Sequence, residues 1–406
     1  MKARNEQMPD QMPATESGHF PAQPSRLLEM LSAAGARRIL REPATDLGLA
    51  EHAPFPFFAM VGQIEMRTAL LLSIVNPAVG GVLLIGPRGT GKTTCVRSLT
   101  DLLPYVETSA CPEGCLPTNL DANGKPDVCP ECREKLARGE PITMLDAVKL
   151  VELPLNARLD DVVGGVNERI AVQQGRIRLE RGILARADQN LLYIDEVNLL
   201  DDVIADAILD AAAQGNYTVR RGAMAGTYRS RFVLIGSMNP EEGRLRPQIM
   251  DRFGLRVPVQ GLVDRDARYE VYRRARRYQQ NRRRFVAEWA AVTEAAREEI
   301  ALARELLSQT ELSDEAITIG LALIEQLGID SHRAEYAMFE AARAHAASDG
   351  RDVADVTDIR AVAPMALRQR RSPFMVDFFA QQTEEDSAIR EHIDALAADL
   401  GWEGAR

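Results

Sequence analysis

Residues Gly81–Thr94 read GVLLIGPRGTGKTT. Val82 to Ile85 make a four-residue apolar run, long enough for one buried strand, and Gly86 to Thr93 then fit the pattern G-x-x-x-x-G-K-T. A nucleoside triphosphate needs many donors crowded around its phosphates, and backbone N–H groups approach most closely where side chains are absent. Gly86, Gly89 and Gly91 keep Cβ atoms out of the way and allow unusual dihedrals. Lys92 is placed to reach the β- and γ-phosphates, and the Thr93 hydroxyl to hold Mg²⁺. Helix-forming residues follow from Thr94 to Leu103, with a helix N-terminus facing the phosphates. Gly86, Pro87, Arg88, Gly89, Thr90, Gly91, Lys92, Thr93 and Thr94 are therefore the expected nucleotide-binding set, with ATP and Mg²⁺ as the cofactors.

The rest of the chain is read outward from this loop. Its 406 residues allow two or three domains. A hydrophobic content of 46% excludes a chain that is disordered throughout, and a net charge of −10 argues against bulk attraction to nucleic acid or anionic membrane. No apolar run reaches the ~18 residues of a membrane span, and the N-terminus carries no secretory pattern, so the expected location is the cytoplasm. Residues 1–53 read as a polar extension with a short helix from Ser25, either a docking helix or a segment packed on its own domain. Apolar texture begins at Phe55, and Gln63 to Val75 has helical spacing ended by Asn76-Pro77.

Downstream, LLYIDE places an apolar run, Leu191 to Ile194, ahead of Asp195 and Glu196. Carboxylates at the C-terminal edge of such a buried strand fall at the ligand crevice of an open α/β sheet. Asp195 would reach Mg²⁺ and Glu196 would act as general base on the attacking water. An amphipathic helix is expected over Asp201 to Ala213 and a hairpin over Tyr217 to Arg231. A further strand, Phe232 to Gly236, delivers Asn239, which can orient the water or sense the γ-phosphate. Arg252, in Asp-Arg-Phe-Gly, suits the added cation that phosphoryl transfer gains from a neighbour.

Between residues 109 and 146 lies an insertion with Cys111-x-x-x-Cys115 and Cys129-x-x-Cys132. Four thiolates at this spacing suit a structural Zn²⁺ site; an Fe–S cluster uses the same ligand set, and unliganded thiols in a variable loop are the plain alternative. Cys95, on the helix after the loop, reads as a buried small hydrophobe. Gly164-Gly165 breaks the chain, and alternation over 168–180 suggests a projecting element. Asp264 to Arg284 is dense in arginine. Nucleic-acid binding is one reading; a solvated linker helix suits the acidic chain better. Four helical patterns follow, Phe285 to Leu307, Asp314 to Leu327, Ser331 to Ala347 and Val356 to Gln369, with no convincing strand. Arg333 opens the third and either leans over the nucleotide or is a surface charge. From Ser372 the chain reads as an exposed helix with a frayed end.

Together these features resemble the AAA+ ATPases and, more closely, the ATPase (I) subunit of magnesium chelatase. The resemblance rests on FPF at 55–57, VGQ at 61–63, GVLLIGPRGTGKTT, LPLNARLDDVVGG, GILARADQNLLYIDEVNLL, RFVLIGSMNPEEGRLRPQIMDRFGL and GIDSHRAEYAMFEAARA. It implies an α/β AAA+ P-loop core, a parallel sheet between helices, followed by an all-helical lid. The expected divisions are an extension over 1–53, the core over 54–262, linker and lid over 263–371, and a tail over 372–406. By the same resemblance Gly86–Thr93 is Walker A, Asp195-Glu196 is Walker B and Asn239 is sensor 1. Arg252 is an arginine finger acting across a subunit interface, Arg333 is sensor 2, and the segments around 168–180 and 216–231 match the family's inserts. Family members form hexameric rings. They work with a second AAA+-like subunit bearing an integrin-type domain and with a large porphyrin-binding subunit that inserts Mg²⁺ into protoporphyrin IX. The alternative within the clade is a chelatase-like or MoxR-type ATPase that remodels another client with an integrin-type partner. The loop departs from the common family pattern at Pro87 and at Thr93, where Thr preserves the hydroxyl.

Overall fold

A computed structural model describes residues 54–111, 114–117, 128–165, 181–221, 224–371 and 373–399. The N-terminal extension and the projecting element expected over 168–180 lie outside the described residues.

The chain enters through a short 3₁₀ turn, Phe57–Ala59, into α1 (Ile64–Val75). Asn76 ends α1 and caps the 3₁₀ turn Pro77–Val79 by accepting from the Ala78 amide, as an Asn-Pro pair favours. Then come β1 (Val82–Ile85), the phosphate-type loop and α2 (Lys92–Ser98), which tightens into a 3₁₀ turn over Leu99–Leu102. The cysteine insertion is framed by β2 (Val106–Ser109), α3 (Pro130–Ala137) and β3 (Thr143–Asp146), with β2 and β3 paired antiparallel. β4 (Leu150–Leu153), α4 (Leu159–Val163), α5 (Ile183–Arg186) and β5 (Leu191–Ile194) follow. Next are α6 (Asp202–Gln214), the hairpin of β6 (Asn216–Arg221) and β7 (Met224–Arg229), β8 (Val233–Met238), α7 (Pro247–Arg252) and β9 (Leu255–Pro258).

Five strands form one parallel sheet in the order β4-β5-β8-β1-β9. Two of them, β4 and β9, are not evident from the sequence, because Glu152 and Arg256 interrupt their apolar runs. Period-two alternation sorts the side chains onto two faces. Leu83, Leu192, Ile194 and Leu234 join Ile204 and Ile208 of α6 on one face. Val82, Leu84, Tyr193, Ile235 and Val257 face α1 and the helical layer on the other. Register is decisive for the site. Ile85 pairs with Met238 and Ile194 with Gly236, so β1, β5 and β8 end at one edge and deliver Gly86, Asp195 and Asn239 together.

The remaining helices are α8 (Arg265–Gln280), α9 (Arg282–Leu307), α10 (Asp314–Leu327), α11 (His332–Ser348), α12 (Val356–Leu367) and α13 (Pro373–Asp399). Asp264, Asn281, Ser313 and Asp355 cap the starts of four of them by accepting from backbone amides. This layer is not strand-free as expected. β10 (Glu311–Leu312) and β11 (Val353–Ala354) form a two-residue parallel pair that satisfies backbone groups at two helix junctions. The arginine-rich α8 is partly neutralised within the fold. Arg274 pairs with Glu270 at 2.6 Å and lies over the Trp289 ring, and Arg277 pairs with Glu288 at 2.6 Å. No helix among the described residues is long and apolar enough to cross a membrane.

Candidate active site

The loop after β1 is shaped by two close approaches. A Cβ on Gly86 would lie 2.0 Å from the Val259 carbonyl oxygen, so only glycine lets β1 run on beside the chain leaving β9. Gly91 enters α2 at φ 87°, in the left-handed region that glycine occupies without penalty. The Lys92 ammonium turns back over the loop, donating to the carbonyls of Gly86 at 2.6 Å and Pro87 at 2.9 Å. Burial pulls its pKa below the ordinary lysine value, and the carboxylates of Asp195, Glu196 and Glu242 offset part of that pull. A desolvated cation beside a ring of open amides fits a polyanion. Thr90 steadies the turn by donating to the Pro87 carbonyl at 3.0 Å.

Asp195 stands at the end of β5, where Tyr193 donates to its Oδ1 at 2.9 Å and Ser237 donates to the same oxygen. The Thr93 Oγ1 lies 3.4 Å from Asp195 Oδ2 and 3.1 Å from the Tyr193 hydroxyl. These clustered hard oxygens are the donor set that Mg²⁺ takes. Burial pushes the Tyr193 phenol up to about 12, so it remains a neutral donor that orients the Asp195 carboxylate. Glu196 adopts φ 55°, left-handed for a residue with a side chain, at a cost on the order of 1–3 kcal/mol. Its amide donates to Ser237 Oγ at 3.3 Å, which helps to hold that geometry. The bend turns the Glu196 side chain into the cavity, toward Arg88.

A cavity of about 310 Å³ is bounded by Arg88 to Thr94 on one side and by Asp195, Glu196, Ser237, Met238 and Asn239 on the other. Asn239 accepts from the Glu241 amide at 3.3 Å and donates to Glu242 at 3.1 Å. Gly86 and Pro87 lie behind the wall and contribute the carbonyls that hold Lys92. A larger cleft of about 600 Å³, between Val75, Leu103, Gln189 and Phe232, contains none of these groups and is not the phosphate site.

Two expected site residues are not in the cavity. Arg252, at the end of α7, pairs with Asp210 at 2.5 Å and Asp206 at 3.8 Å on α6. Arg333 lies 3.6 Å from Asp251 and is half exposed. Asp251 is a junction that no motif marks. Its carboxylate binds Arg370 at 2.7 Å, accepts from Ser331 at 2.9 Å and lies 3.5 Å from Arg256. Arg370 and Arg256 are buried, and burial pulls both guanidinium pKa values down, Arg256 to about 10. The residue beside Arg252 therefore ties α7 to α11 and to the chain after α12. Tyr193 and Ser237, which set the Asp195 carboxylate, were also missed; only the fold reveals that they point at it.

Outside the cavity, Cys111, Cys115, Cys129 and Cys132 come together, their sulfurs all within 4.8 Å of one another. Cys95 is fully buried in the main core, as expected, and burial pushes its thiol up to about 12.

A parallel sheet with Walker-type loop and carboxylates at one edge, followed by a helical layer, defines a P-loop ATPase of the AAA+ class. Residues 322–393 match the AAA lid domain family. The chain is 43% identical to the magnesium-chelatase subunit ChlI homolog of Methanocaldococcus jannaschii, over 82% of this chain and 93% of that protein. It is likewise 43% identical to the magnesium-chelatase 38 kDa subunit of Acidiphilium rubrum, over 78% of this chain and 91% of that protein. The chain belongs to the magnesium-chelatase ATPase subunit family. A solved putative ATPase from Cytophaga hutchinsonii shares the fold at 20% identity, with a TM-score of 0.50 over 77% of this chain and 83% of that one.

Proposed function

We propose that this chain is the ATP-hydrolysing motor of a magnesium chelatase, driving insertion of Mg²⁺ into protoporphyrin IX by partner subunits. The observation that carries this reading is the convergence of Lys92, Thr93, Asp195, Glu196 and Asn239 on one cavity, in a chain that spans more than nine-tenths of the two magnesium-chelatase relatives named above. The loop amides and Lys92 hold the phosphates. Thr93 and Asp195 hold Mg²⁺, which offsets phosphate charge. Glu196 takes a proton from the attacking water, and Asn239 positions that water.

Arg252 does not line its own chain's cavity, which supports a role at the cavity of a neighbouring copy in a ring of six. Arg333 completes the site from the lid once that layer closes, releasing Asp251. In this reading the core spans 54–262 and linker and lid 263–371. The partners are a second AAA+-like subunit with an integrin-type domain and a large porphyrin-binding subunit; the compartment is the cytoplasm. The four cysteines are a metal-binding element of the insertion, apart from the ATP site.

Reconstitution tests the reading. The full chain, mixed with the two partner subunits, protoporphyrin IX, Mg²⁺ and ATP, is expected to yield the fluorescence of Mg-protoporphyrin, and the Glu196→Gln chain is not. ATPase activity that rises with the integrin-type partner alone, with no metallated porphyrin under any condition, would contradict the chelatase role and favour remodelling of another client.

A further inference from the structure

We propose that Cys111, Cys115, Cys129 and Cys132 hold a single zinc ion, not an iron–sulfur cluster, and that this ion closes the insertion into a rigid lobe. This zinc site goes beyond the motor reading, and its deciding measurement, metal content, needs no nucleotide. Four thiolates on one ion with Zn–S bonds of about 2.3 Å make a tetrahedron whose edges are about 3.8 Å. Here Cys111 Sγ and Cys129 Sγ are 3.7 Å apart, and every pair among the four lies within 4.8 Å. A cluster spreads its thiolates over two or four irons around bridging sulfides, so its ligands cannot all stand this close. The Cys111–Cys129 separation is equally unlike a disulfide, whose sulfurs are about 2.05 Å apart, and none of the cysteines is disulfide-bonded.

The surroundings are built for an ion. The Cys129 amide donates to Cys115 Sγ at 3.2 Å, the kind of backbone donor that stabilises a thiolate ligand. Cys129 caps α3, and Cys132 sits in its first turn, so the second pair is fixed by a helix. The first pair follows β2, with the Gly114 amide donating to the Cys111 carbonyl at 2.9 Å. Val128, Ile142 and Leu136 enclose the sulfurs. Among the described residues of the insertion this is a small apolar cluster, and tetrathiolate zinc supplies stability in small domains. The other group of possible ligands among the described residues, His345, Asp349 and Asp358, already encloses the Arg351 guanidinium and has no need of a cation.

The lobe also has a mechanical attachment. At Gly114, with φ 70°, a Cβ would lie 2.0 Å from Arg181 Nη1, so the guanidinium packs directly against this glycine. Arg181 in turn donates to the Ala185 carbonyl at 3.1 Å, within α5. The zinc lobe thus braces the chain where it enters α5.

The test is metal analysis of the full chain, purified without chelators or a nickel column. About one zinc per chain is expected, with iron and acid-labile sulfide at trace level. A Cys129→Ser, Cys132→Ser double variant should lose the zinc and become open to protease between 110 and 145, while binding a fluorescent ATP analogue within about twofold of wild type. Cobalt substitution should give the strong visible bands of a tetrahedral tetrathiolate site. Zinc below about a tenth per chain, with four thiols that react freely or two disulfides, would overturn the proposal. So would iron with sulfide in equal amount, or iron alone. Because the wild-type metal content is read directly, misfolding of the variant does not blunt the result.

Discussion

Arg88 Nη2 lies 2.8 Å from Glu196 Oε1, and Arg88 Nε lies 2.7 Å from Glu242 Oε1. Arg88 of the loop thus pairs with the proposed general base across the cavity. The pair raises the Arg88 pKa, chiefly through its hydrogen bond to Glu196, yet the guanidinium is 70% exposed. Exposed pairs of this kind are screened by solvent and hold their partners weakly. Releasing Glu196 by Arg88→Ala is therefore expected to raise kcat by up to about fivefold in a steady-state phosphate-release assay. A fall of about tenfold or more would mean that Arg88 acts on the phosphates in the transition state.

Binding and turnover should separate at Lys92 and Glu196. Lys92→Ala removes a desolvated ammonium facing the phosphates and is expected to weaken nucleotide binding about 10- to 100-fold. Glu196→Gln keeps the shape and should bind ATP within about threefold of wild type while kcat falls about 10²- to 10⁴-fold. Titration with a fluorescent nucleotide and single-turnover phosphate release measure the two effects. Wild-type turnover by Glu196→Gln would place the base elsewhere.

The helical layer carries its own acid sensitivity. Asp358 has no exposed side chain and meets His345 Nδ1 at 2.6 Å and Arg351 at 2.5 and 2.9 Å, with Asp349 and Asp355 nearby. Burial alone would raise its pKa, but the bonds from His345, Arg351 and the Asp355 amide, with the Arg351 charge, bring it down to about 2. An unfolded aspartate titrates near 3.9. The folded value is the lower one, so this stability is fully present above about pH 5 and is lost as pH falls through the folded value near 2, about 2.5 kcal/mol in all. Urea unfolding of wild type and Asp358→Asn should show a gap that is constant above about pH 5 and narrows by that amount in acid. Parallel pH profiles would contradict it.

Much of the site was legible because its chemistry is local. The loop from Gly86 to Thr93 and the Asp195-Glu196 pair each lie within a few residues of the strand that positions them. The four lid helices carried clear periodicity and capping residues, and their observed bounds differ from expectation by a few residues at most. What escaped was tertiary. β4 and β9 hide behind Glu152 and Arg256, and the latter is buried only because Met250 and Arg368 offer carbonyls to it. Ser237 and Tyr193 become partners of Asp195 through strand register, and Asp251 meets Arg370 across 119 positions of chain. The cysteine spacing left zinc, cluster and free thiols open, and the proposal of zinc rests on the sulfur separations.

In the proposed ring each ATP site is composite, with Glu196 from one copy and Arg252 from the next. Arg252→Ala alone is expected to assemble and bind ATP but to lose about 10³-fold or more in turnover. Mixed in equal amount with Glu196→Gln, random assembly gives about a quarter of interfaces an intact Glu196 and an intact Arg252. The most direct measurement is the ATPase rate of that mixture. The account predicts activity well above the sum of the two variants alone. A mixture no more active than that sum would contradict it.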